Sequence, residues 1–167
     1  MALHDDLLNL AKELVNRNPA APVEGDLRRG VSTAYYALFH LLVREATARL
    51  VTPITLRSRV ARSFDHRIMR LVCEDYDKLT PDASGQLVTS TGEVVPPGLK
   101  GIATAFLELQ RARFRADYDM ALAIPQRQAQ DEVRFAESAF ADWVAVQADP
   151  AAATFLAELL CRGIPKR

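Results

Sequence analysis

Two rows of side chains have the types and spacing to handle a phosphate. At about 100° of turn per residue, Arg29, Thr33, Tyr36, His40, Arg44 and Thr47 fall in one narrow sector of a long helical segment. Further along, Arg59, Ser63, His66 and Arg70 line up in the same way. Arginine offers bidentate contacts to phosphate oxygens, and histidine carries a proton that titrates near neutral pH. Read together, the rows describe a groove for RNA or a nucleotide, contacted by Arg29, Tyr36, His40, Arg44 and Arg70. The same pattern is what two solvated helix faces produce, so the rows alone leave both readings open.

The charge distribution favours an anionic partner at one segment only. The chain of 167 residues has zero net charge, which excludes a whole-surface polyanion binder. Residues 28–70, however, hold nine arginines against Glu45 and Asp65, while the sequence on either side is acidic. A neutral protein with one basic segment still presents a field to a phosphate-bearing ligand.

A different anomaly lies later in the chain. Counting from Leu99, the apolar direction of a helix holds Ile102, Ala103 and Phe106, and then Gln110, Arg113 and Asp117. A charge aimed at a core must be paired or it costs several kcal/mol. Arg113 and Asp117, one turn apart and followed by Tyr118, read as a structural polar group reaching toward Tyr35 or Tyr36. Glu45 and Arg49 have the spacing of a similar pair.

Other chemistry is missing from the sequence. There is no phosphate-cradling GxxxxGK[ST] or GxGxxG loop, no HExxH and no nucleophile elbow. Cys73 and Cys161 have neither CxxC spacing nor a nearby His, so they read as two buried thiols of a cytoplasmic protein with no metal and no cofactor. No apolar run approaches the ~18 residues of a membrane span, and the first ten residues, MALHDDLLNL, do not read as a signal peptide.

The elements that must position these residues are helices, in a single domain over residues 1–167. Leu7, Leu10, Ala11, Leu14 and Val15 share a face that ends at Asn18-Pro19. Residues 26–51 form the longest helix, with Leu27, Val31, Ala34, Leu38, Leu41 and Leu42 as its core stripe, widened by Tyr35, Phe39 and Ala46. Leu56, Val60, Phe64, Ile68, Leu71 and Val72 predict one continuous third helix. Residues 80–98, rich in Pro and Gly, exclude helix and suit a short hairpin around Thr91-Gly92. A fourth helix spans about Leu99 to Leu122. A fifth, after Pro125, buries Ala129, Val133, Ala136, Phe140, Trp143 and Val144. Asp149-Pro150 opens a short C-terminal helix over 150–162 that stops at Gly163. The fold class expected is all-α, an antiparallel up-and-down bundle of four to five long helices with that short helix added.

Two segments carry a family resemblance. LRRGVSTAYYALFHLL, residues 27–42, resembles the second helix of the HEPN (higher eukaryote and prokaryote nucleotide-binding) superfamily, where an Arg-rich start leads into a Ser/Ala-x-x-Tyr-Tyr-Ala core. RARFRADYD, residues 111–119, resembles the Arg-x-x-Ala-Asp-Tyr segment of a HEPN subgroup. The resemblance implies a helical bundle that forms a homodimer and works with RNA or nucleotides, often in toxin–antitoxin or defence modules beside a nucleotidyltransferase-like protein partner. Many HEPN toxins are metal-independent endoribonucleases marked by Arg, four to six residues, then His. Arg59 and His66 have six residues between them, which would place both on one face of a continuous helix. In the family a polar residue usually follows that Arg, where this chain has Val60. The motif also usually lies in a later helix, where this chain has Arg113, Asp117 and Tyr118 without a His. The expected function is therefore a non-catalytic HEPN-like module binding RNA, nucleotide or a partner protein. The alternative is an endoribonuclease using Arg59 and His66, assisted by Arg29 and His40.

Overall fold

The computed structural model describes residues 2–162. Among them are seven α-helices: α1 Leu3–Asn16, α2 Glu24–Leu50, α3 Ile54–Ala61, α4 His66–Asp77, α5 Pro97–Tyr118, α6 Gln126–Val146 and α7 Pro150–Cys161. A hairpin of β1 Leu87–Val88 and β2 Val94–Val95 is the one sheet among the described residues. The fold is an all-α helical bundle, as the periodicity predicts.

The chain divides into two compact units. One takes the residues up to Leu41 with Ala105–Phe140, and the other takes Leu42–Thr104 with the residues from Ala141 on. In the first unit the predicted stripe of α2 is buried as far as Leu41, with Ala34, Tyr35 and Leu38 at 0% exposure and Tyr35 packed on Phe106 of α5. Contacts of α2 with α5 run from Arg28 against Asp119 to Tyr35 against Phe106, the order of an antiparallel pair. α1 and α6 are antiparallel too, since Lys12 meets Glu137 while Asn16 meets Gln130. Gly30 lets α1 and α2 close together: a Cβ there would lie 2.5 Å from Val15 Cγ1.

In the second unit α4 and α7 pack antiparallel, with Tyr76 edge-on to Phe155 at 4.8 Å and Arg162 bonding the Leu71 carbonyl. Asp149 caps α7 through the Ala151 N–H, with Pro150 in the first turn. The stop expected at Gly163 lies outside the described residues. The hairpin forms where it was expected, pairing Leu87 with Val95 and Val88 with Val94. Gly92 takes a φ of 84° at its turn, a conformation that disfavours other residues. α5 begins at Pro97, so the irregular segment is slightly shorter than 80–98.

The third helix is not continuous. Asp65, in extended conformation, accepts hydrogen bonds from the Arg67 and Ile68 N–H groups and starts α4 afresh after α3 has ended at Ala61. The break resets the helical phase. α4 buries Met69, Val72, Cys73 and Tyr76, whereas Leu71 is exposed, and α3 buries none of its residues. Three smaller expectations also fail: Leu10 on α1, Val144 on α6 and Cys161 at the end of α7 are exposed.

Gly30→Ala is expected to lower stability by about 1–2 kcal/mol, because the clash with the buried, β-branched Val15 outweighs the better helix propensity of alanine. A thermal melt checks this, and a variant as stable as the parent would show that Val15 moves aside freely.

Candidate functional site

The two segments that carry the family resemblance meet in the first unit. The Arg113 guanidinium lies 5.4 Å from the Tyr35 ring centre and 5.0 Å from that of Tyr36. Its Nε is 3.2 Å from Asp117 Oδ2, an ion pair whose angle makes no hydrogen bond, and Ser32 Oγ donates to that same oxygen at 3.2 Å. Gln110 Nε2 donates to the Tyr35 hydroxyl at 3.4 Å. Local sequence explains the arrangement. Ser32, Tyr35 and Tyr36 are neighbours on one side of α2, while Gln110, Arg113 and Asp117 recur every three or four residues along α5. Arg113 and Asp117 are about one-quarter exposed, so each keeps some contact with solvent.

The expected structural pair is therefore present. Tyr118, grouped with it from sequence, instead points outward, 63% exposed, with its ring beside Phe114. This cluster spends its charges on itself: the cation is matched by Asp117 and by two ring faces.

The row on α2 is not one polar face. Arg29 and Arg44 are exposed, Tyr36 and His40 are half-buried, and Thr33 and Thr47 are buried. Thr47 returns its hydroxyl to the Val43 and Arg44 carbonyls of its own helix. Burial, and after it the nearby charge of His4, push His40 below the usual imidazole range. His40 also packs edge-on to Phe39 at 5.4 Å. At neutral pH it is thus uncharged, which suits a packed ring better than a phosphate contact. Arg29 belongs to the first unit and Arg44 to the second, where it pairs with Glu45 at 2.6 Å. The expected Glu45–Arg49 pair forms at 3.3 Å, with Arg49 also lying over Trp143.

The second row is broken by the Asp65 cap. Arg59 ends α3 and His66 opens α4, so the shared helical face expected for them does not exist. His66 is half-buried, and Arg70 pairs with Glu74 at 3.5 Å. What the break leaves is a dense basic surface. Between residues 57 and 70 five arginines face a single carboxylate, Asp65. Arg57 is engaged, donating to the Val51 and Ala48 carbonyls at the end of α2. Arg59, Arg62 and Arg67 are exposed, and among the described residues the guanidinium groups of Arg59 and Arg62 have no ion-pair or hydrogen-bond partner.

Sequence reasoning passed over Arg28 and Glu132. Arg28 donates to the carbonyls of Ala116, Asp119 and Leu122, closing the end of α5. Glu132 is 8% exposed on the inner face of α6. Its signal was legible, because it sits three residues after Ala129 and four before Ala136, in the apolar stripe.

Among the described residues no group of three or more His, Cys, Asp or Glu is placed to hold a metal ion, and no helix is long and apolar enough to cross a membrane. No protein-family model, curated protein or solved structure matches this chain.

Asp117→Ala is expected to destabilise the protein by about 1–3 kcal/mol, since it strands a half-buried guanidinium and frees the Ser32 hydroxyl. Combining it with Arg113→Met should recover part of that loss. An unchanged melting temperature in the single variant would remove the pair from the interactions that hold α2 to α5.

Proposed function

We propose that this chain is a HEPN-like helical module that forms a homodimer and binds single-stranded RNA without cleaving it, through α3 and the start of α4. The observation that carries the reading is the exposed basic surface at the α3–α4 turn. Three arginines, Arg59, Arg62 and Arg67, extend there from a helix with no buried residue and from the first turn of its neighbour. Guanidinium groups not already spent on carboxylates are the ones available to phosphates, and they release condensed counterions when they bind. The family resemblance supplies the choice of RNA, the homodimer and a nucleotidyltransferase-like partner in a toxin–antitoxin or defence setting.

Cleavage finds less support. Attack by a 2′-hydroxyl needs a base and a phosphate-stabilising cation held at one phosphodiester. Arg59 and His66 belong to separate helices on either side of a cap, and the His40 ring is packed edge-on to Phe39. In this reading Arg59, Arg62 and Arg67 bind, Arg70 stays paired with Glu74, and His66 contributes to the α4 start rather than to chemistry.

The test is fluorescence anisotropy with a labelled single-stranded RNA at low and moderate salt. Affinity should fall steeply with salt, and Arg59→Glu and Arg62→Glu should each weaken it about tenfold or more at low salt. Arg127→Glu, which changes an exposed arginine of α6, should have little effect. The RNA should stay intact with chelator present, and light scattering should give twice the monomer mass at micromolar concentration. Equal losses for all three variants would remove α3–α4 as the contact, and RNA cleavage abolished by His66→Ala would replace binding with catalysis.

A further inference from the structure

The connection between α5 and α6, residues 119–125, is held from two sides within the first unit. From α2, Arg28 donates to the Asp119 and Leu122 carbonyls, and Glu24 accepts from the Ile124 N–H at 3.3 Å while also holding Arg28 Nε at 2.8 Å. From α6, Glu132 lines a cavity of about 10 Å³ under the connection together with Val31, Ala112, Arg115, Leu122, Ile124 and Gln128. That space is too small for an organic ligand, so the carboxyl is part of the packing and not of a binding pocket.

Glu132 is poorly matched to this place as an anion. Its Oε2 is buried without a hydrogen-bond partner, and its Oε1 is 3.6 Å from Arg115 Nη2, too long for a strong charge-assisted bond. The other charges facing it divide by sign. Arg115 of α5 favours the carboxylate, whereas Glu108 of α5 and Asp131 of α6 oppose it. Arg28 of α2 is occupied by Glu24 and by the carbonyls of the connection. Desolvation is the largest influence, and the carboxyl is pushed up from an ordinary 4.5 to about 7.

We propose that residues 119–125 form a proton-sensitive strap latched by Glu132, closed over the cavity while the carboxyl is protonated and loosened when it ionises. The neutral acid packs against Leu122 and Ile124, while the carboxylate gains by meeting water, which it reaches when the connection lifts. Lifting uncovers Ile124 and Leu122 beside Met120, which is already exposed.

The sign and the window follow from linkage. The closed form holds a proton that the open form releases, so the Glu132 contribution to closure is fully present below about 4.5, weakens as pH rises, and levels off above about 7. The test uses the full chain in two measurements: a carbon-13 NMR titration of the Glu132 carboxyl, and amide exchange of Leu122 and Ile124 corrected for intrinsic rates. Protection should fall by about tenfold per pH unit from about 5 to about 7, then flatten. Glu132→Gln, which mimics the protonated acid, should hold protection at its low-pH level throughout. Arg115→Gln removes the favouring charge and should move the flattening to higher pH. A Glu132 carboxyl titrating near 4.5, or a protection profile that Glu132→Gln leaves unchanged, would overturn the proposal.

Discussion

A guanidinium set against a helix core has to be neutralised and its edges shielded, and Arg113 shapes its surroundings through that need. The Asp117 carboxylate answers the charge, Ser32 holds the carboxylate, and the rings of Tyr35 and Tyr36 cover the cation's face. Tyr35 itself is 0% exposed and packs on Phe106, so the polar cluster and the apolar core share a residue. One consequence is register. α2 cannot slide along α5 without separating Ser32 from Asp117 and the rings from Arg113 together. Farther along the same pair, Arg28 closes the end of α5 and holds the connection that follows it.

Most of this arrangement could be read from sequence because it follows helical periodicity. The α2 stripe from Leu27 to Leu42 and the charged residues on the inner side of α5 repeat every three or four positions, and the structure buries or pairs them accordingly. What periodicity missed, it missed where a cap interrupts the count. Asp65 is a strong helix starter, yet the apolar residues on either side of it fit one continuous helix closely enough to mask the signal. The phase error then carried Leu71 to the wrong face and joined Arg59 to His66 on a surface they do not share. Thr47 failed for another reason. A threonine that bonds its own helix is easily buried, so its polarity says little about exposure.

A division of labour among the arginines emerges from these contacts. Some are structural: Arg28 and Arg57 terminate helices, Arg113 anchors α2 to α5, and Arg49 lies over Trp143. Others are exposed and unspent, and these concentrate where α3 gives way to α4. Composition counted both kinds alike, which is why the basic segment looked longer in sequence than it is on the surface. A buried carboxyl sits on α6, where Glu132 has a weakly placed cation and no hydrogen bond, and burial holds it above the ordinary carboxylate range.

The proposed RNA contact is tested most directly by backbone amide NMR, residue by residue, as single-stranded RNA is added at low salt. Contact through the unspent arginines predicts shifts concentrated in residues 54–70, with Ser32, Tyr36, Arg113 and Asp117 unmoved because the Arg113 and Asp117 charges already answer each other. Shifts centred on Tyr36 and Arg113, with residues 54–70 unchanged, would contradict it and make the α2–α5 cluster the binding site instead.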